Sequence, residues 1–171
     1  MQIGEKVGDF EAEAFVDGKI KRIKLSDYAG KWVVLFFYPL DFTFVCPTEM
    51  RGFAKREHEF AALNAAVIGA STDSAYSHKA WMRDMPEVRY PVIADTTHAV
   101  SRLFGVLKED QGIAFRATFI IDPDSALRYY VMSDLSVGRS VEETLRVLKA
   151  LQTGELCPVE WKPGEKTLGK A

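Results

Sequence analysis

The sequence has few cysteines, no excess of positive charge and no long apolar run, and each absence excludes a class of proteins. Two cysteines in 171 residues are too few for a disulfide-rich secreted scaffold. Cys46 and Cys157 lie too far apart to form a C-x-x-C redox pair or a zinc knuckle. A net charge of -2 without any basic run argues against a nucleic-acid partner.

Targeting and cofactor motifs are also missing. Residues 1–5 lack the basic-then-apolar layout of a signal peptide, and the longest apolar run, residues 32–38, is too short to cross a bilayer. We therefore expect a soluble, cytoplasmic protein with no membrane partner. The three histidines are too widely spaced for a helical metal pair, and no dinucleotide fingerprint or phosphate loop is present. No metal and no cofactor are predicted, so reducing equivalents must come from another protein.

What is present is the pattern of one α/β domain. A hydrophobic content of 47% is ample for a core, and buried strand patterns alternate with helical ones. The order predicts an α/β sandwich with a mixed sheet, and a non-periodic tail follows the last helix. Strands are predicted at 32–38, 66–71, 92–95, 118–121 and 127–132, and helices from Pro47, at 74–85, at 97–104 and from Ser140 to Gly154.

Cys46 has the most informative setting of the two cysteines. It follows a predicted strand and a short loop and lies in the first turn of a predicted helix, where backbone N–H groups favour a thiolate. A typical thiol, with a pKa of about 8.5, is only about 3% ionised at pH 7, and lowering that value to about 6 requires roughly 3.4 kcal/mol. A helix end supplies no more than about 2 kcal/mol, so a cationic neighbour is also needed. The alternative is a thiol that only packs.

Residues 39–49, PLDFTFVCPTE, resemble the peroxidatic loop of the peroxiredoxins, whose core pattern is P-x-x-x-T-x-x-C. The similarity extends to residues 71–74, 78–81, 116–122, 137–139, 157–158 and 161–164 and is greatest to the typical two-cysteine subgroup. The resemblance implies a thioredoxin-like α/β fold with a mixed central β-sheet flanked by helices. It implies a peroxiredoxin domain at residues 1–154 and a tail at 155–171 that carries the second cysteine.

The resemblance assigns roles to six residues. Cys46 is expected to attack the O–O bond of hydrogen peroxide or an organic hydroperoxide and become a sulfenic acid. Arg116 is expected to hold the peroxide and favour the thiolate, and Thr43 to donate or relay a hydrogen bond through its hydroxyl. Pro39 is expected to shield the site from water, and Glu49 to orient Arg116 or an adjacent arginine such as Arg139. From the residues alone, each could equally be an ordinary strand-end, loop or first-turn residue.

Cys157 is the sixth residue, and it lies in a tail rich in glycine and proline. The resemblance implies that it resolves the sulfenic acid by forming a disulfide with Cys46 of another subunit. That pairing implies a homodimer, and often a ring of dimers such as a decamer. It also implies thioredoxin or a dedicated disulfide reductase as electron donor. Without the resemblance, Cys157 could be an incidental surface thiol.

Two departures from the family pattern and two rival functions remain. Residues 82–89 contain no Gly-Gly-Leu-Gly insert, and no Tyr-Phe helix follows Cys157, so the resemblance predicts an enzyme that resists conversion to sulfinic acid.

A thioredoxin-like disulfide reductase would need a C-x-x-C pair. A chaperone-type or peroxide-sensing oligomer would keep its holdase activity after Cys46→Ser, whereas a peroxidase would lose peroxide consumption.

Overall fold

The computed structural model describes residues 1–170, in which nine strands and four α-helices form a mixed α/β fold. Helices α1 to α4 span Cys46–Ala62, Ala75–Trp81, Ala99–Leu103 and Val141–Thr153. The strands β1 to β9 span Glu11–Val16, Lys19–Lys24, Trp32–Phe37, Ala65–Ser71, Val92–Ala94, Leu107–Lys108, Ile113–Ala114, Arg116–Ile121 and Leu127–Ser133.

Seven of these strands form one sheet in the order β2-β1-β5-β4-β3-β8-β9. Strand β3 pairs in parallel with β4 and antiparallel with β8, and β4 pairs in parallel with β5. The pairings at both edges are antiparallel, so the sheet is mixed, as predicted, and mostly antiparallel. Because β3 lies centrally and is covered on both faces, its uniformly apolar sequence is buried.

Helix α1 begins directly at Cys46, one residue before the predicted start at Pro47, and it packs beside β4. Helix α2 begins as predicted, with the Ser74 hydroxyl accepting a hydrogen bond from the Ser77 N–H at 3.2 Å. The helix is shorter than predicted because Met82–Asp84 tightens into a 3-10 turn before Pro86. Helix α2 packs against β1 and β5, so helices flank the sheet.

Two hairpins match the sequence and a third was not predicted. Asp17 and Gly18 adopt positive φ angles of 45° and 81° in the β1–β2 turn, a conformation that glycine favours. In the β8–β9 turn, the Ser125 N–H donates to the Asp122 carbonyl at 2.9 Å, as expected for a β-turn with Pro123 in second position. The additional hairpin joins β6 to β7, each only two residues long.

The chain divides into two compact units, the first ending at Arg139 and the second beginning at Ser140. The domain boundary expected after residue 154 therefore stays a prediction. The second unit contains α4, which Ser140 caps and Gly154 ends in a left-handed conformation. The Ser140 hydroxyl accepts a hydrogen bond from the Glu143 N–H at 3.0 Å, and the Glu143 carboxylate binds Arg146.

The segment after α4 is partly ordered by its own backbone. The Leu156 N–H donates to the Gly169 carbonyl, and the Leu168 N–H donates back to the Leu156 carbonyl, both at 2.8 Å. Trp161 is buried, and its indole N–H donates to the Glu165 carbonyl at 3.0 Å. Within residues 1–170, no helix combines the length and apolar character needed to cross a membrane.

Candidate active site

The loop between β3 and α1 carries Cys46 into the interior of the first unit. Strand β3 ends at Phe37, the loop crosses residues 38–45, and Cys46 is the first residue of α1 and fully buried. Pro47 suits this helix start because the first-turn N–H groups have no intrahelical partners. The sulfur of Cys46 therefore lies beside the positive end of a 17-residue helix.

Arg116 supplies the second positive contribution at this sulfur. It begins β8, and the pairing of Phe37 with Ala117 brings the start of β8 to the end of β3, where the Cys46 loop departs. Its Nη1 lies 3.3 Å from Cys46 Sγ and 2.6 Å from Glu49 Oε2, and its Nε donates to the Leu135 carbonyl at 2.7 Å. The guanidinium is fixed on two sides, and one N–H points at the sulfur.

Glu49 links two buried arginines. Besides its contact with Arg116, its carboxylate accepts from the Arg139 Nε at 2.9 Å and the Arg139 backbone N–H at 3.1 Å. Only 2% of the Glu49 side chain and 5% of each arginine side chain are exposed to solvent. Glu49 therefore contacts both arginines, where the sequence had left open which one it would meet.

Arg139 is held by further backbone and ring contacts. Its Nη1 donates to the Ala117 carbonyl at 2.7 Å, its Nη2 donates to the Phe37 carbonyl at 2.5 Å, and the guanidinium lies 5.0 Å from the Phe36 ring centroid. Burial lowers the pKa of Arg139, and the adjacent Glu49 carboxylate opposes that shift. Arg139 thus joins the end of β3 to the start of β8 and helps hold the frame around Cys46.

This cluster places unbalanced positive charge beside the Cys46 sulfur. Two guanidinium groups face one carboxylate, which leaves a formal positive charge in a buried site. A thiolate at Cys46, 3.3 Å from the Arg116 Nη1, would balance that charge. The arrangement can therefore hold a nucleophilic sulfur together with a hydrogen-bond donor aimed at what that sulfur attacks.

The other predicted residues occupy different positions. Pro39 is buried in the loop directly after β3. Thr43 is half-buried, and its hydroxyl donates to the Leu40 carbonyl at 3.0 Å instead of to the Cys46 sulfur. Cys157 belongs to the second unit, where its sulfur lies 3.6 Å from the Thr153 hydroxyl and 3.9 Å from the Ala150 carbonyl. Both cysteines are free thiols.

Sequence reasoning missed the polar cluster that anchors the loop. The Asp41 carboxylate accepts hydrogen bonds from the Tyr38 hydroxyl at 2.8 Å and the Ser77 hydroxyl at 2.7 Å, and it contacts the His78 Nδ1 at 2.8 Å. The Asp41 N–H donates to Asp73 at 2.9 Å. Burial, and then the Asp41 charge, raise the pKa of Tyr38 well above its usual value. The only signal in the sequence was a lone aspartate inside an apolar loop.

Gly138 is a second residue whose role the sequence did not reveal. A Cβ atom at this position would lie 3.3 Å from the Val45 Cγ1, which is tighter than ordinary van der Waals contact. The absence of a side chain lets the segment carrying Arg139 approach the start of α1 closely.

Among residues 1–170, no group of three or more acidic, histidine or cysteine side chains is arranged to hold a metal ion.

Comparisons with known proteins give a consistent result. Residues 3–130 match the model of the AhpC/TSA family. The chain is 53% identical to peroxiredoxin prdx-2 of Caenorhabditis elegans over 97% of its own length and 88% of that protein. Its structure resembles the crystal structure of Enterococcus faecalis AhpC, with a TM-score of 0.88, 40% identity, and coverage of 91% of this chain and 98% of that one. Reduced Plasmodium vivax 2-Cys peroxiredoxin gives a TM-score of 0.92 at 33% identity, covering 96% of this chain and 91% of that one.

Proposed function

Because the chain belongs to the peroxiredoxins of the AhpC/TSA family and is therefore a thiol-dependent peroxidase, we propose that Cys46 is its peroxide-reducing residue. The observation that carries this assignment is the 3.3 Å contact between the Arg116 Nη1 and the Cys46 sulfur at a helix start. The substrates are hydrogen peroxide and organic hydroperoxides.

The first step is a displacement at oxygen. The Cys46 thiolate attacks one peroxide oxygen, an S–O bond forms, and the O–O bond breaks with both of its electrons going to the leaving oxygen. Proton uptake by that oxygen gives water or an alcohol, and Cys46 is left as a sulfenic acid. Charge develops on both oxygens, so a fixed donor such as the Arg116 guanidinium lowers the barrier.

Supporting roles follow from the positions of three further residues. Glu49 orients Arg116 and Arg139 through its two carboxylate oxygens. The Thr43 hydroxyl, while it donates to the Leu40 carbonyl, keeps its oxygen available to accept a hydrogen bond from the peroxide. Pro39 is buried within the loop, and because proline has no backbone N–H, it cannot donate a hydrogen bond to water there.

Cys157 is proposed as the resolving cysteine. Its thiol attacks the Cys46 sulfenic sulfur of a partner subunit, an S–S bond forms, and the hydroxyl leaves as water. This assignment requires a homodimer, for which a ring of dimers is the larger assembly. Thioredoxin or a flavoprotein disulfide reductase then returns two electrons. The cytoplasm, with its reduced thiols, suits such a cycle.

Resolution requires the Cys46 sulfur to leave its pocket. Because the sulfur is fully buried in the first turn of α1, that turn has to unwind before a second sulfur can reach it. The turn is held by three hydrogen bonds to the Val45 carbonyl, from the Thr48 N–H at 3.0 Å, the Thr48 hydroxyl at 2.6 Å and the Glu49 N–H at 3.3 Å. Few bonds need to break, so the opening can be local.

Single-turnover peroxide consumption, measured with the reduced protein and no external reductant, tests the assignment. Cys46→Ser is expected to consume no peroxide above the buffer background. The matched variant Cys157→Ser should still consume one equivalent and stop at the sulfenic acid. The assignment is wrong if Cys46→Ser still consumes an equivalent as fast as the unmodified chain.

A further inference from the structure

A recess that contains no residue of the Cys46 loop lies between the β1–β2 turn and the end of α2 with the segment that follows it. It has a volume of about 380 Å³, within the range of small-molecule sites. Phe15, Met82 and Val88 form an apolar floor, and each of them is largely buried. The rim carries three exposed cations, Lys79, Arg83 and Arg89.

The arginines of this rim differ from all the others in the chain. Of ten arginines, eight make an ion pair with a carboxylate, and within residues 1–170 only Arg83 and Arg89 make none. Both line the same recess, together with Lys79, which also lacks an ion pair there. The eight paired arginines are Arg22, Arg51, Arg56, Arg102, Arg116, Arg128, Arg139 and Arg146.

Nearby carboxylates do not neutralise these cations. Asp17 is the only acidic residue lining the recess, which leaves a formal charge of +2 in a chain whose net charge is -2. Glu87 is engaged by Arg51 at 3.4 Å. Glu57 interacts with Arg89 only at long range, and burial raises the pKa of Glu57 more than Arg89 lowers it.

We propose that this recess binds a compact polyanion of the di- or triphosphate class. Lys79 lies in the last turn of α2 and Arg83 in the 3-10 turn that follows, and both line the recess, while Arg89 approaches from the segment before β5. Arginine forks match phosphate oxygens, and a charge of -2 or more on the ligand complements the +2 of the rim. The small apolar floor leaves little room for a large hydrophobic body.

The proposal is independent of the peroxidase assignment. None of the recess residues contacts Cys46, Arg116 or Glu49, so removing the cations should leave peroxide reduction unchanged. A phosphate chain can come from a free polyphosphate or from a nucleotide. Two probes, sodium tripolyphosphate and ATP without metal, distinguish these sources.

Isothermal titration of the reduced full chain at constant ionic strength tests the site. We expect saturable binding at one site per chain, with a dissociation constant below about 1 mM. The double change Arg83→Gln and Arg89→Gln should weaken binding at least about tenfold, since two charge-assisted contacts are lost. Arg102→Gln with Arg128→Gln removes the same charge from paired arginines elsewhere and should change the affinity less than twofold.

Each outcome of the titration either assigns the class of ligand or overturns the proposal. Equal affinity for both probes assigns the site to the phosphate chain itself, and tighter ATP binding assigns it to a nucleotide. The proposal is overturned if neither probe saturates up to about 5 mM, or if the control double variant loses affinity equally. If the double variant does not fold, the single exposed change Lys79→Gln can be compared in its place with the control double variant.

Discussion

At the scale of single residues, reactivity at Cys46 depends on groups that surround one sulfur. The helix start contributes one favourable interaction and the Arg116 Nη1, 3.3 Å away, contributes a second. Glu49 and the Leu135 carbonyl fix the direction of that guanidinium, so little reorganisation is needed when charge moves onto the peroxide. The sulfur's setting is thus built by residues that do not themselves react.

Arg116→Gln should lower the reactivity of Cys46 toward peroxide while the chain still folds. The amide keeps a hydrogen-bond donor but loses the charge, and we expect the second-order rate constant for peroxide to fall about 100- to 1,000-fold. Competition kinetics with a second peroxidase measures that constant. Arg128→Gln removes an exposed, ion-paired arginine and should leave the rate within twofold. An Arg116→Gln rate within threefold of the unmodified chain would rule out the electrostatic role.

The sequence could indicate candidate residues for the site, but it could not indicate which of them contact one another. The helix-start position of Cys46 is a local property, and the energetic need for a cation could be calculated without a structure. Which cation fills that need depends on the register of β8 against β3, which brings together residues 70 positions apart. The link from Glu49 to both arginines likewise needed the fold, because Arg139 follows β9 in a segment without periodicity.

At the scale of structural elements, the loop before α1 is anchored to α2 by Asp41. Its carboxylate meets the Tyr38 and Ser77 hydroxyls and the buried His78 ring, whose Nε2 lies 3.0 Å from the Ile93 carbonyl. A carboxylate buried among several donors favours one loop conformation. The first half of the loop that presents Cys46 is therefore anchored to α2.

The buried tyrosines predict how stability depends on pH. The pKa of Tyr38 is raised well above 10.0 by burial and by Asp41, and that of Tyr90 is raised mainly by burial. Above pH 10 the unfolded chain loses these protons while the folded chain keeps them, so the free energy of unfolding should fall as pH rises. Each tyrosine contributes a slope of up to about 1.4 kcal/mol per pH unit.

Urea unfolding between pH 9 and pH 11 measures that slope. Tyr38→Phe should reduce the slope by about one tyrosine's share while lowering stability near pH 8 by about 1 kcal/mol, since the bond to Asp41 is lost. Tyr90→Phe should reduce the slope in the same way. Slopes equal to that of the unmodified chain in both variants would contradict the assignment.

Long or strongly patterned elements could be predicted, and short ones could not. Strand β3 and helix α1 carry continuous apolar and helical patterns, and the bounds of β3 and the start of α1 lie within one residue of their predicted positions. Strands β6 and β7 have two residues each, which is too short for any period to appear. Helix α2 was predicted too long because the helical pattern continues through a 3-10 turn.

At the scale of the whole molecule, the proposed reaction cycle requires more than one chain. The Cys46 site belongs to the first compact unit and Cys157 to the second, and both thiols are free. In the proposed cycle, each turnover joins both sulfurs in one disulfide, which another protein then reduces. The proposed homodimer supplies Cys157 from a partner chain, so oligomerisation becomes part of the reaction.

Mass analysis under non-reducing, denaturing conditions, after one equivalent of hydrogen peroxide per reduced chain, tests this account most directly. We predict a covalent dimer whose peptide map links Cys46 of one chain to Cys157 of the other. Cys46→Ser and Cys157→Ser should each remain monomeric under the same treatment. A product that stays at the monomer mass with Cys46 and Cys157 joined within one chain, or a dimer that persists in Cys157→Ser, would contradict it.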